Sequence, residues 1–182
     1  MTFAFSQSSS SIIRGFAGVL AVLLILSACA EDDAEYQERP VEQIYNSAMD
    51  ELLDGSYVTA AKGFDEVERQ HPYSVWATRA QIMSAYAYYR NNDYDESIIS
   101  ASRFIQLHPG HRDVAYAYYL IAVSYYEQIS DVGRDQELTE RALESLEELV
   151  RRFPDTTYAR DARLKVDLTR DHLAGKEMDI GR

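Results

Sequence analysis

Only one cysteine, Cys29, occurs in the 182 residues. With no second thiol, neither a disulfide framework nor a thiolate-rich metal centre can form within the chain. Basic charge is also scarce: 18 Lys and Arg stand against 30 Asp and Glu, a net charge of −12. That balance argues against nucleic acid or bare anionic lipid as a partner. Motifs of catalysis are missing too. There is no GxSxG elbow and no glycine-rich phosphate loop, and Asp131, Asp135 and Glu137 around Gly133 lack the spacing of a calcium loop. His108 and His111 lie three apart across Pro109-Gly110, but no Cys or carboxylate completes a zinc-like set with them. His71 and His108 precede prolines, where imidazole serves as a helix C-terminal cap or packs on the turn. The chain is therefore expected to be no enzyme, with no catalytic residue, no metal and no cofactor beyond a covalent lipid.

Long apolar runs are equally rare, and the one present is informative. Gly15 to Leu26 is continuously apolar, follows the lone basic residue Arg14, and is too short to span a bilayer. It ends in Leu26-Ser27-Ala28-Cys29, which matches the lipobox of bacterial lipoprotein precursors. Residues 1–28 are thus expected to be a signal peptide, and Cys29 the lipidated first residue of the mature chain. Several acyl chains, at about 0.8 kcal/mol per buried methylene, hold a protein far more firmly than one. Ala30 in the next position resembles outer-membrane sorting. An ordinary signal with an incidental cysteine is the alternative. Residues 29–39 are acidic without apolar periodicity and read as a flexible tether. The mature chain carries 17 basic against 30 acidic side chains, a net charge of −13.

Three of the four prolines mark an internal repeat. Pro72, Pro109 and Pro154 each follow a helical apolar stripe, at spacings of 37 and 45 residues. The stripes are Ala60, Phe64 and Val67, then Ser97, Ala101 and Phe104, then Ala142, Leu146 and Leu149. After the prolines, Ala80, Ala117 and Ala162 recur in register, with Ala85 and Ala122 in the first two intervals, so a small-residue face on a preceding helix is expected. Turn residues Asp54-Gly55-Ser56-Tyr57 and Asn92-Asp93-Tyr94 separate the paired helices. The third unit carries eight extra residues within Ile129 to Thr139, either a contact loop or a tolerated insertion. The expected fold is all-α, about three helix pairs plus a final unpaired helix. Its repeats span about 41–74, 78–111 and 115–155, and a C-terminal helix covers 156–182 with Leu164, Leu168 and Leu173 on one side. With no partner or capping helix after it, the chain is expected to be a truncated form of a longer solenoid.

Ala48, Gly55, Tyr57, Ala60, Phe64 and Pro72 fall at positions of the tetratricopeptide repeat, which this arrangement resembles. The second unit keeps Ala85, Asp93, Tyr94 and Pro109 but has Ser97 where alanine is usual. More specifically, His71-Pro-Tyr-Ser74, Ser84-Ala-Tyr-Ala-Tyr-Tyr-Arg90, Asp93-Tyr-Asp-Glu96, Arg103 to His111, Tyr116-Ala-Tyr-Tyr119 and Val150-Arg-Arg-Phe-Pro154, with the lipobox, resemble the BamD or ComL-type lipoprotein family. The resemblance implies a lipid-anchored scaffold on the periplasmic face of the outer membrane, within the β-barrel assembly machinery. It also implies N-terminal repeats that recognise C-terminal targeting signals of unfolded outer-membrane proteins, and later repeats that dock BamA and BamC. The absent later repeats put that docking in doubt. A lipoprotein that regulates cell-wall synthesis or binds peptidoglycan is the alternative.

In a repeat of this kind the first helices line a concave surface. Register places Tyr45 and Met49, then Ile82, Tyr86 and Tyr89, then Tyr119, Val123 and Tyr126 on it, with Arg79 and Arg90 flanking it. Tyrosine offers a large ring with a polar tip at low entropic cost, which suits an extended peptide with alternate aromatic residues. The arginines are candidates to pair with a peptide carboxylate, and Arg103 lies on the adjoining second helix. Adjacent Tyr88-Tyr89 and Tyr125-Tyr126 point about 100° apart, so Tyr89 and Tyr126 are assigned to the groove and their neighbours to interhelix packing.

Overall fold

The computed structural model describes residues 39–129 and 136–180. Among them are seven α-helices and no strand: α1 Val41–Leu53, α2 Tyr57–Gln70, α3 Val75–Arg90, α4 Tyr94–Leu107, α5 Val114–Glu127, α6 Gln136–Arg152 and α7 Thr157–Ile180. Each helix packs on the next in sequence. Neighbouring first helices α1, α3, α5 and α7 also touch in turn, whereas the backbones of the second helices stay farther apart, α2 and α4 meeting through the Arg103–Glu68 ion pair. The row of first helices is therefore the tighter, inner layer of an all-α helical repeat. Cys29 and the tether as far as Glu38 lie outside the described residues. So do residues 130–135 of the long connection, and its last four expected residues, 136–139, belong to α6.

The prolines create one turn three times. At each, the residue before proline donates to the helix four residues back: His71 N to Val67 O at 2.9 Å, His108 N to Phe104 O at 2.9 Å and Phe153 N to Leu149 O at 3.0 Å. The steric demand of proline drives that preceding residue out of the helical region, and His71 and His108 adopt nearly the same dihedrals, φ −133°, ψ 57° and φ −132°, ψ 55°. At the first and third turns a hydroxyl caps the next helix: Ser74 Oγ accepts from Ala77 N at 3.1 Å, and Thr156 Oγ1 from Ala159 N at 3.1 Å, whereas Asp113 before α5 makes no side-chain cap. Between paired helices the chain reverses through a left-handed residue, Gly55 (φ 83°) or Asn92 (φ 64°). Glycine and asparagine are the residues that tolerate this conformation, and the following amides, Ser56 N to Glu51 O and Asp93 N to Tyr88 O, close the helix ends.

All three predicted stripes on the second helices are fully buried, as are Ala80, Ala85, Ala117, Ala122 and Ala162 on the first. Ser97, the departure from alanine, keeps its hydroxyl satisfied by donating to Ala85 O at 2.9 Å, and it accepts from Ser124 Oγ at 3.3 Å. On α7 the buried side is Ala159, Ala162, Val166 and Thr169, while Leu164 and Leu168 are 65% and 54% exposed. Leu173 on that side is half-buried, and the small residues at the interface hold α7 against α6 and α5.

Candidate peptide-binding face

Tyrosines of the inner helices meet across repeat boundaries. The Tyr116 and Tyr119 rings on α5 lie 5.3 Å and 5.2 Å, centroid to centroid, from Tyr158 on α7, and 6.5 Å from each other in a stacked arrangement. On α3, Tyr89 packs against Tyr94 at 6.0 Å, and Tyr86 lies within electrostatic reach of Tyr116. All six of these rings are half-buried, neither sealed in the core nor free in solvent. Burial holds the Tyr116, Tyr119 and Tyr89 phenols above the ordinary tyrosine value, and for Tyr119 the hydrogen bond to Asp161 adds to it. At neutral pH the face is thus a strip of neutral rings with polar tips.

Charged groups stand at its two ends. Arg90 donates from one guanidinium nitrogen to the Tyr86 hydroxyl at 2.8 Å and from another to the Tyr57 hydroxyl at 2.5 Å, with its centre 4.8 Å from the Tyr57 ring centroid. At the other end Asp161 accepts from the Tyr119 hydroxyl at 2.9 Å and pairs with Lys165 at 3.1 Å. The Lys165 ammonium lies 5.3 Å from the Tyr126 ring, a distance at which the ring quadrupole attracts a cation.

Of the residues expected on this face, the structure joins Tyr86, Tyr89, Arg90, Tyr119 and Tyr126 into one region. Tyr45 and Arg79 form a separate cluster around Trp76, with ring centroids 4.8 Å apart for Tyr45 and Trp76, and Arg79 5.7 Å from the Trp76 ring. Burial raises the Tyr45 phenol, opposed by the nearby Arg79 charge. Met49 is half-buried against the core of the first helix pair. Ile82 and Val123 are corrections: at 7% and 1% exposed they belong to the interior rather than the surface. Val123 stands one turn from both Tyr119 and Tyr126 on α5, and its short side chain is covered while their larger rings are half-buried. Arg103 pairs with Glu68 on α2 and is committed there. Tyr88 does pack between helices, donating to Asp65 at 3.0 Å.

Tyr116, Tyr158, Tyr57, Asp161 and Lys165 were not expected. Register held the signal for two of them: Tyr116 and Asp161 stand seven residues after Pro109 and Pro154, as Arg79 does after Pro72. Among the described residues, no three His, Cys, Asp or Glu side chains gather in a metal-binding group, and no helix is long and apolar enough to cross a membrane. Neither imidazole bonds the carbonyls of the helix it follows: His71 Nε2 meets Arg39 O ahead of α1 at 2.7 Å, and His108 Nε2 meets Gln81 Oε1 on α3 at 2.9 Å.

Residues 37–182 match the family model described as YfiO, outer membrane lipoprotein. The chain belongs to this family. YfiO relatives bearing the name outer membrane protein assembly factor BamD include one from Caulobacter vibrioides, 54% identical over 147 residues. That match covers 81% of this chain and 48% of the relative. Another, from Rickettsia prowazekii, is 41% identical over 165 residues, covering 90% of this chain and 66% of the relative. One from Neisseria gonorrhoeae is 34% identical over 175 residues, covering 87% and 66%. The chain thus spans about half the length of the Caulobacter relative and under two thirds of the other two. The family match takes in every described helix, so the inner tyrosine face lies wholly within the YfiO region.

Proposed function

We propose that this chain is a non-enzymatic scaffold in the assembly of outer-membrane β-barrel proteins. It is lipid-anchored through Cys29 at the periplasmic face of the outer membrane, and it binds the C-terminal targeting segments of unfolded clients. The naming of its relatives as outer membrane protein assembly factors supports the cellular role. The observation that carries the binding mode is the half-buried run of Tyr86, Tyr116, Tyr119 and Tyr158 across three successive inner helices. Rings already held by packing lose little freedom when a ligand arrives, and their hydroxyls serve a peptide backbone while their faces serve its aromatic side chains. Binding alone is sufficient for this role, because the client's terminal strand need only be held until a barrel-forming partner, BamA in this reading, takes it over. The anchor supplies position, raising the concentration of this face near partners embedded in the same membrane.

Photocrosslinkers at Tyr86, Tyr89 and Tyr119 are expected to capture a client's C-terminal peptide while crosslinkers at exposed Lys62 and Glu144 on the second helices do not. Capture by the second helices with none at the tyrosines would overturn the binding mode. For the anchor, Cys29→Ala protein is expected to fold normally and leave the membrane fraction. Continued outer-membrane residence would show that protein contacts suffice.

A further inference from the structure

The Arg90 end of the tyrosine strip has an unusual balance of donors. Its guanidinium is exposed, and among the described residues its hydrogen bonds go to two phenol oxygens rather than to a carboxylate. Neutral phenols leave the positive charge uncompensated. Each of these oxygens accepts from Arg90 and so keeps its own proton to give. Neither the Tyr57 nor the Tyr86 hydroxyl spends that proton on an acceptor among the described residues. A guanidinium and two O–H donors thus converge at one place, the donor set that an anionic carboxylate accepts most strongly.

At the opposite end Lys165 offsets Asp161, and Glu127 leaves the balance negative. Besides burial, Glu127 and Asp161 both push the Tyr89 phenol above its ordinary value, while Arg90 pulls it down. An extended peptide lying along the strip therefore meets a field directed along its length. A free C-terminus is attracted to one end and repelled from the other.

We propose that Arg90, Tyr57 and Tyr86 form a terminal-carboxylate site, and that it orients a bound peptide with its C-terminus at α2 and α3 and its upstream residues toward α7. This rests on the peptide-binding reading above and adds to it a direction and a requirement for a free α-carboxylate. Tyr57 enters the site from a second helix, and Arg90 joins the two elements by bonding both phenols.

The test uses the full chain in detergent and a fluorescent peptide ending in phenylalanine, made as the free acid and as the C-terminal amide. Anisotropy titration is expected to give roughly tenfold tighter binding of the acid, the scale of one charge-assisted hydrogen bond. Arg90→Gln and Tyr57→Phe are expected to remove that preference, and Arg90→Lys to retain part of it. A photoreactive residue beside the peptide's C-terminus is expected to label α2 or α3, and one near its N-terminus to label α7. Equal binding of acid and amide by the unaltered chain, or reversed labelling, overturns the carboxylate site while leaving peptide binding intact. If neither peptide binds, the peptide-binding reading falls and the polarity with it.

Discussion

Gly63 of α2 lies so close to Ala48 of α1 that a Cβ on it would stand 2.8 Å from the Ala48 Cβ and 3.4 Å from its Cα. Ala48 is 2% exposed and has no flexible end to swing aside. Gly63→Ala gains about 1 kcal/mol in helix propensity, but overpacking a close helix contact costs about 1–3 kcal/mol. A net loss of about 1 kcal/mol is expected, read as a lower urea midpoint at unchanged slope. Ala48→Gly in the same chain is expected to recover most of the overpacking loss. An unchanged midpoint in the single variant would mean that α1 shifts freely.

Phe104 is fully buried, and the His108 and His111 rings both pack on it at 5.4 Å. Phe104→Ala removes the anchor of the second proline turn and leaves a cavity, so a loss of about 3–5 kcal/mol is expected in equilibrium unfolding. Loss below about 1 kcal/mol would mean that the turn collapses into the space.

The Tyr119–Asp161 hydrogen bond joins α5 to α7 across 42 residues of sequence. A double-mutant cycle with Tyr119→Phe and Asp161→Asn is expected to give a coupling of about 1 kcal/mol. Strictly additive effects would show that the bond contributes nothing to holding α7.

Tyr88 predicts an alkaline limit to stability. Burial first, then the neighbouring Asp65 carboxylate, pushes its phenol from 10.0 up to about 12. The folded chain thus keeps a proton that the unfolded chain releases more readily. The contribution is fully present below about pH 10 and is lost as pH rises toward about 12. Tyr116 and Tyr119 shift in the same direction. Urea unfolding at increasing pH is expected to show declining stability over that window, less steeply for Tyr88→Phe. Parallel pH curves for the two proteins would remove Tyr88 from the account.

The repeat itself was legible because its causes are local. Proline excludes helix from the residue before it, so His71, His108 and Phe153 mark their turns by chain position alone. Ala60, Phe64 and Val67 recur at helical spacing, and whatever the helix packs on, that side is the one to bury. The face was legible only in part. Tyr86, Tyr89 and Tyr119 follow from register, but Val123 occupies the position equivalent to Tyr86 and is buried, because exposure depends on the size of the neighbouring side chains as well as on angle. Leu164 and Leu168 of α7 stay exposed for a related reason: hydrophobicity marks a side that can be buried, and only a neighbouring helix buries it.

By itself the sequence determined the helices, their turns and the small-residue stripes, since steric exclusion and periodicity act over a few residues. The lipidation proposed at Cys29 is read from the sequence alone, and the fractionation experiment decides it. Tertiary structure alone decided which tyrosines meet. Tyr116 reaches Tyr158 across 42 residues and Tyr57 reaches Arg90 across 33, and such contacts depend on how one helix lies against the next. Spacing along a chain sets the direction of a side chain from its own helix, but the partner it finds there is set by packing between helices.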